Sequence, residues 1–197
     1  YPKLDADAVR QAAELINHAK KPLALVGQGV ELGNAQNELK AFLESNYQIE
    51  TLKEGTKEVY KTQINNNEIY AIKSGYGLID AAAATQFLIT KYGCEIILNF
   101  GVTGALTRDL KVDDLFVVTK TINHDYDVSP IDPVRIHQYE EFPDEFIPLD
   151  KGLINLAKRI RPDLKEAIDA SGERFIEQRE DKTYLASLGC NICDMEV

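Results

Sequence analysis

The chain has 197 residues, 44% of them apolar, and a formal net charge of −10. This suits one globular domain, or one domain and a fragment, and no stretch is long and apolar enough to span a bilayer. The acidic balance excludes the basic face that nucleic-acid binding requires, and three cysteines with no secretory leader lead us to expect a reducing, cytoplasmic setting.

Residues 1–21 are predicted to form a helix, with Asp5 as N-cap and Val9, Ala12, Ala13, Ile16 and Ala19 at helical spacing. Pro22 ends it, a strand PLALV leads into a glycine turn, and residues 35–45 form an amphipathic helix. YQIETL, EVYKTQI and NEIYAIK alternate as strands, and the polar turn at Asn65, Asn66 and Asn67 predicts an antiparallel hairpin between the last two. The turn Ser74-Gly75-Tyr76-Gly77 opens an Ala-rich helix over 78–92, which Gly93 stops. EIILNF reads as a strand covered on both faces, joined to NEIYAIK in a parallel crossover unit. It opens into a second glycine loop at 101–104, so both loops leave the carboxyl edge of the sheet, where open α/β sheets bind ligands. LFVVT (115–119) is another buried strand, 138–150 is a solvated acidic loop, and helices cover 151–161 and 177–188. The chain closes on a buried strand, NICDMEV, whose Cys190 and Cys193 are read as structural core thiols, since a zinc site would need two more ligands.

Gly75-Tyr76-Gly77 does not continue as a dinucleotide fingerprint, because Asp80 stands where the third glycine belongs. Instead KSGYG (73–77), AAAAT, NFGVTG (99–104) and LKVDD (110–114) together resemble the nucleoside phosphorylase and nucleosidase superfamily, most nearly the 5'-methylthioadenosine/S-adenosylhomocysteine nucleosidases. The fold this implies is a three-layer α/β/α arrangement on a central mixed, mostly parallel sheet, incomplete at its C-terminal end. The resemblance covers residues 47–197 and also takes in HDYD (124–127), SGERFI (171–176) and the closing Met-Glu. By resemblance Phe175 stacks on the purine and the backbone of Ile176 reads the base edge. Met195 lies against the ribose, and Glu196 accepts hydrogen bonds from its two hydroxyls. Gly104 and Thr103 of the second glycine loop contact substrate, and Tyr76 stands near the 5' pocket, where the family has a smaller apolar residue. Glu173 replaces the family's Asp and Val102 a small hydroxyl residue. HDYD is expected to be hydrogen-bonded loop structure at the edge of the site, because the family reaction uses no metal; no cofactor is implied.

The implied reaction is hydrolysis of a purine nucleoside's N-glycosidic bond, through an oxocarbenium-like ribosyl centre and an activated water. Phosphorylases of the superfamily hold phosphate with an Arg before the glycine loop. Here that position is Asn99, which favours water as the acceptor. Purine or uridine nucleoside phosphorylase and non-catalytic nucleoside binding are the alternatives.

Residues 1–46 resemble the start of the central domain of acetolactate synthase and related thiamine-diphosphate enzymes. Their Mg²⁺-diphosphate motif does not accompany the segment, so a fragment of such an enzyme is a remote alternative. The expectation is two segments, 1–46 and 47–197, packed as one globular unit. Glu31 is the candidate for the family's water-activating glutamate, about one residue out of register. The family's general acid is an Asp in a Ser-Asp pair well after Met-Glu, and no Ser-Asp occurs in this sequence. The expectation on that ground is a truncated, chimeric chain of little or no activity. The intact family members resemble homodimers.

Overall fold

The computed structural model describes residues 22–26, 45, 47–64, 67–112 and 114–197. Its described residues form two compact units, one of those up to Val102 with Glu196, the other of those from Thr103 to Met195 with Val197.

The first unit is built on a five-stranded sheet of order β2-β3-β4-β1-β5. β2 (Glu50–Glu54), β3 (Lys57–Ile64) and β4 (Asn67–Lys73) form an antiparallel meander. The register runs from Val59 opposite Ile72 to Ile64 opposite Asn67, as the hairpin expectation requires; the turn residues 65 and 66 lie outside the described ones. β1 (Pro22–Val26) lies parallel between β4 and β5 (Ile96–Phe100). The crossover from β4 through helix α1 (Gly77–Tyr92) therefore passes over a strand drawn from the N-terminal segment instead of landing beside β4. β5 corrects a further expectation. Ile96, Ile97 and Leu98 are half-buried and Asn99 and Phe100 exposed, because β5 is the edge strand of this sheet among the described residues.

α1 buries Gly77, Ala81, Ala84 and Leu88, a spacing of four, three and four that makes one helical stripe. Its small alanines let the helix approach Val59, Tyr70 and Ile72, which form the core with Leu88 and Cys94. Gly93, at φ 66°, ends the helix and donates to the Ile89 carbonyl at 3.0 Å. Tyr92 stacks on Tyr70 at 4.3 Å between centroids and donates its hydroxyl to Glu54, so the helix end is tied to the meander.

The second unit holds a sheet of order β6-β10-β9-β7-β8. β7 (Phe116–Asn123), β9 (Lys165–Ser171) and β10 (Ile192–Asp194) are parallel, flanked by two-residue antiparallel edges β6 (Gly104–Ala105) and β8 (Ile147–Pro148). α2 (Lys151–Ile160) links β7 to β9, and α3 (Arg179–Ser187) links β9 to β10. The Asp150 carboxylate caps α2 by accepting the Leu153 N–H at 2.8 Å. β7 runs four residues beyond the predicted LFVVT and is only half-buried over Phe116–Lys120; its buried part is Thr121 and Ile122. The reason is local: the core lies at the strand's carboxyl end, where Ile122 packs with Ala170, Ile176, Leu185, Cys190 and Cys193. That places the best-packed part of the sheet directly beneath the loops leaving β7, β9 and β10. No helix of the described residues is long and apolar enough to cross a membrane.

Candidate functional site

In the first unit, three sequence motifs meet at the amino end of α1. Ser74 is fully buried, and its carbonyl accepts Lys57 Nζ from β3 at 2.5 Å. The chain then turns through Gly75 at φ 107° and Gly77 at φ 86°, angles that a side chain would strain. Tyr76 occupies the N-cap with an extended backbone and offers no side-chain acceptor. Its ring is 55% exposed, so it is available to a ligand. The acceptor comes from Glu196, whose Oε1 takes the Gly77 N–H at 3.3 Å. A carboxylate there is also favoured by the helix dipole. Asn99, at the end of β5, donates its side-chain amide to the Glu196 carbonyl at 3.1 Å. The residue at the phosphorylase arginine position is therefore a neutral donor to backbone.

In the second unit, β6 carries Gly104 against β10. A Cβ at Gly104 would lie 3.0 Å from Cys193 Sγ, so a side chain there would crowd the close strand pairing. Thr103 is exposed, with its hydroxyl 3.2 Å from the Gly104 carbonyl. Met195 is half-buried beyond β10. The next turn is held at Val197, whose N–H is shared between Ser171 Oγ at 3.1 Å and Asp194 Oδ1 at 3.3 Å. Ile176 is buried in the core, while Phe175 beside it is 76% exposed.

The HDYD segment follows β7, and the SGERFI segment follows the adjacent strand β9. The His124 N–H donates to the Ser171 carbonyl at 2.9 Å. Asp125 Oδ2 accepts the Glu173 N–H at 2.7 Å, and its Oδ1 accepts Arg174 Nε at 3.1 Å and lies 3.0 Å from His124 Nδ1. Burial pushes Asp125 up, but the Glu173 N–H, His124 and Arg174 outweigh it and hold the carboxyl below its usual range. Burial lowers the His124 pKa, which favours the neutral ring. Here the sequence expectation of a hydrogen-bonded loop agrees with the geometry.

Beneath these loops Asp169 is fully buried on β9, with Thr121 donating to its Oδ2 at 2.9 Å. Burial and then the neighbouring Asp194 carboxyl raise its pKa well above the usual carboxylate range, which favours the protonated form. Burial, with Asp169 second, pushes Cys190 up to about 12 and Cys193 up to about 11, which leaves both as unreactive thiols. Both are free and buried.

The structure thus joins Glu196 to the KSGYG turn and to Asn99 in one unit, and HDYD to the loop before Phe175 in the other. Glu31 lies outside the described residues. The sequence reading missed Lys57, Ser171, Asp169 and Asp194 as supports. Only Asp169 carried a signal, as a lone acid in the apolar alternation of AIDAS. A shallow surface hollow on α3, lined by Arg179, Glu180, Thr183, Tyr184 and Ser187, contains none of the expected site residues.

Comparison with known proteins identifies the family. The family model of the Phosphorylase superfamily matches residues 29–197. It therefore begins within residues 1–46, the segment set apart in the sequence expectation. The aminodeoxyfutalosine nucleosidase of Helicobacter pylori is 32% identical over 163 residues, 79% of this chain and 69% of its own. The 5'-methylthioadenosine/S-adenosylhomocysteine nucleosidase of Hydrogenovibrio crunogenus is 34% identical over 142 residues, 68% of this chain and 60% of its own. Among solved structures, Helicobacter pylori MTAN superposes with a TM-score of 0.76 at 30% identity, over 88% of this chain and 77% of that one. The chain belongs to the phosphorylase superfamily, with the N-glycosidases that form its nucleosidase branch.

Proposed function

We propose that this chain acts on 6-aminopurine nucleosides with a modified 5' position. The compounds named for its relatives, 5'-methylthioadenosine, S-adenosylhomocysteine and aminodeoxyfutalosine, define that class. The observation that carries the reading is the bonding of Glu196 to both Gly77 and Asn99: its carboxylate accepts the Gly77 N–H and its main-chain carbonyl accepts the Asn99 amide, which brings the KSGYG turn and the start of NFGVTG to one residue. A carboxylate has two oxygens and can accept from both hydroxyls of a vicinal diol. Glu196 is proposed to hold the ribose hydroxyls, with Met195 against the sugar. Phe175 stacks on the purine, Ile176 offers backbone to the base edge, and Gly104 and Thr103 contact the substrate. Tyr76 bounds the 5' substituent, and its hydroxyl suits a polar tail better than a bare thiomethyl group. Glu31 is proposed to activate water.

The acceptor is water. Asn99 brings no positive charge to the phosphorylase anion position, and its amide is spent on the Glu196 carbonyl. On the family resemblance the protein works as a cytoplasmic homodimer in methionine salvage. Product analysis tests the reaction class: any turnover of 5'-methylthioadenosine in phosphate buffer, expected to be slow, should yield adenine and free 5-methylthioribose. Formation of the sugar 1-phosphate would contradict it.

A further inference from the structure

We propose that Asp125 is a positioning residue for the Phe175 ring, holding the backbone before it so that the aromatic face is presented to a purine. The inference rests on the nucleoside reading above and extends it to a residue that touches no substrate.

The argument begins with the strands. β7 and β9 are parallel and end in register, Asn123 opposite Ser171, so their following loops leave the same edge of one sheet. The His124 N–H continues the ladder by one bond, to the Ser171 carbonyl. The His124 side chain is 1% exposed and lies directly over Gly172, where a Cβ would sit 2.2 Å from Cε1 and 2.7 Å from Asp125 Oδ2. From there Asp125 takes three contacts at once, the Glu173 N–H, Arg174 Nε and His124 Nδ1. Arg174 extends the clamp by donating Nη1 to Asp181 on α3 at 2.7 Å. Residues 171–174 are thereby fixed by backbone, by side chain and by close packing.

Phe175 follows with a different environment from both neighbours. Arg174 is held by two carboxylates, and Ile176 is buried among Ile122, Ala170 and Leu185. Between these anchors the Phe175 ring is mostly in water. Leaving a phenyl ring exposed forgoes most of its burial energy, so holding it there rigidly makes sense as preparation for stacking. A carboxylate that fixes two consecutive residues just before the ring sets the direction of the ring without touching the base.

Equilibrium dialysis of a labelled C-nucleoside analogue of 5'-methylthioadenosine, whose glycosidic carbon–carbon bond does not hydrolyse, against wild type, Asp125→Ala, Phe175→Ala and the double variant tests this as a cycle. Loss of the stacking ring is expected to weaken binding by about tenfold to a hundredfold. Asp125→Ala is expected to weaken it by about tenfold, and the double variant no further than Phe175→Ala alone. Asp125→Asn keeps an acceptor for the Glu173 N–H and should recover part of the loss. Thermal melts identify variants that fail to fold; if Asp125→Ala does, the cycle is run with Asp125→Asn. Additive losses, or wild-type affinity in Asp125→Ala, would overturn the inference while leaving the nucleoside reading intact. Absence of binding to wild type would overturn the nucleoside reading, and this inference with it.

Discussion

The Glu196 carboxylate accepts the Gly77 N–H at 3.3 Å, across 119 residues of sequence. It stands where Tyr76, at the N-cap, has no acceptor to offer. The same side chain that is proposed to clamp ribose therefore also completes the amino end of α1. Glu196→Ala should cost about 1 kcal/mol of stability, the usual cost of a lost cap, and should abolish measurable nucleoside binding. Glu196→Gln keeps an oxygen for Gly77 and should retain the stability while binding more weakly. Urea titration of the two variants separates the roles; equal destabilisation by both would contradict the capping role.

Gly172 is required by the ring it faces. A methyl group there would collide with His124 and Asp125, so Gly172→Ala should destabilise by about 1–3 kcal/mol or displace the loop before Phe175. Pairing it with His124→Ala should restore part of the stability. A Gly172→Ala protein with an unchanged urea midpoint would contradict the packing described.

Asp169 gives stability a pH dependence of known sign. Its folded-state pKa is raised above the ordinary 3.8 by burial and then by Asp194, so over that interval the folded chain binds more protons than the unfolded one. Its contribution therefore falls as pH rises from about 4, and levels off above its folded pKa. His124, lowered by burial, acts oppositely: stability is lost as pH falls through about 6.5, where the unfolded imidazole takes up its proton. Asp169→Asn removes only the first effect. The variant should gain on wild type as pH is raised from about 4 toward the folded-state pKa of Asp169, read from urea midpoints. A gain that shrinks as pH rises would contradict a raised Asp169 pKa.

The thiols of Cys190 and Cys193 are buried and held almost wholly protonated at neutral pH. Reaction with 5,5'-dithiobis(2-nitrobenzoate) should be slow in the native protein and rapid in urea, with modification following the unfolding curve. Fast native labelling of either residue would contradict the burial.

How much of this was legible in the sequence depends on the range of the interactions. The hairpin of β3 and β4, the stripe of α1 and its stop at Gly93 are local, set by residues a few positions apart, and pattern reading finds them. Insertion of β1 between β4 and β5 is a tertiary choice that neither strand encodes by itself. The half-burial of β5 follows from that strand order and not from IILNF, whose apolar run suggested two covered faces. At the site, Met-Glu and the glycine loops were visible as motifs. The partners that orient them were not. Asn99 reads as a missing arginine in sequence, whereas in space it is a donor to the Glu196 carbonyl. His124 over Gly172 joins two loops 48 residues apart, and no periodicity records that contact.

The central claim is that Glu196, set by Gly77 and Asn99, belongs to a purine nucleoside site. Calorimetric titration of the purified chain with a C-nucleoside analogue of 5'-methylthioadenosine, whose glycosidic carbon–carbon bond does not hydrolyse, tests it most directly. Saturable binding at one site per chain by wild type, lost in Glu196→Ala while the variant remains folded, is the predicted result. No saturable heat from wild type, or equal affinity in Glu196→Ala, would contradict the account.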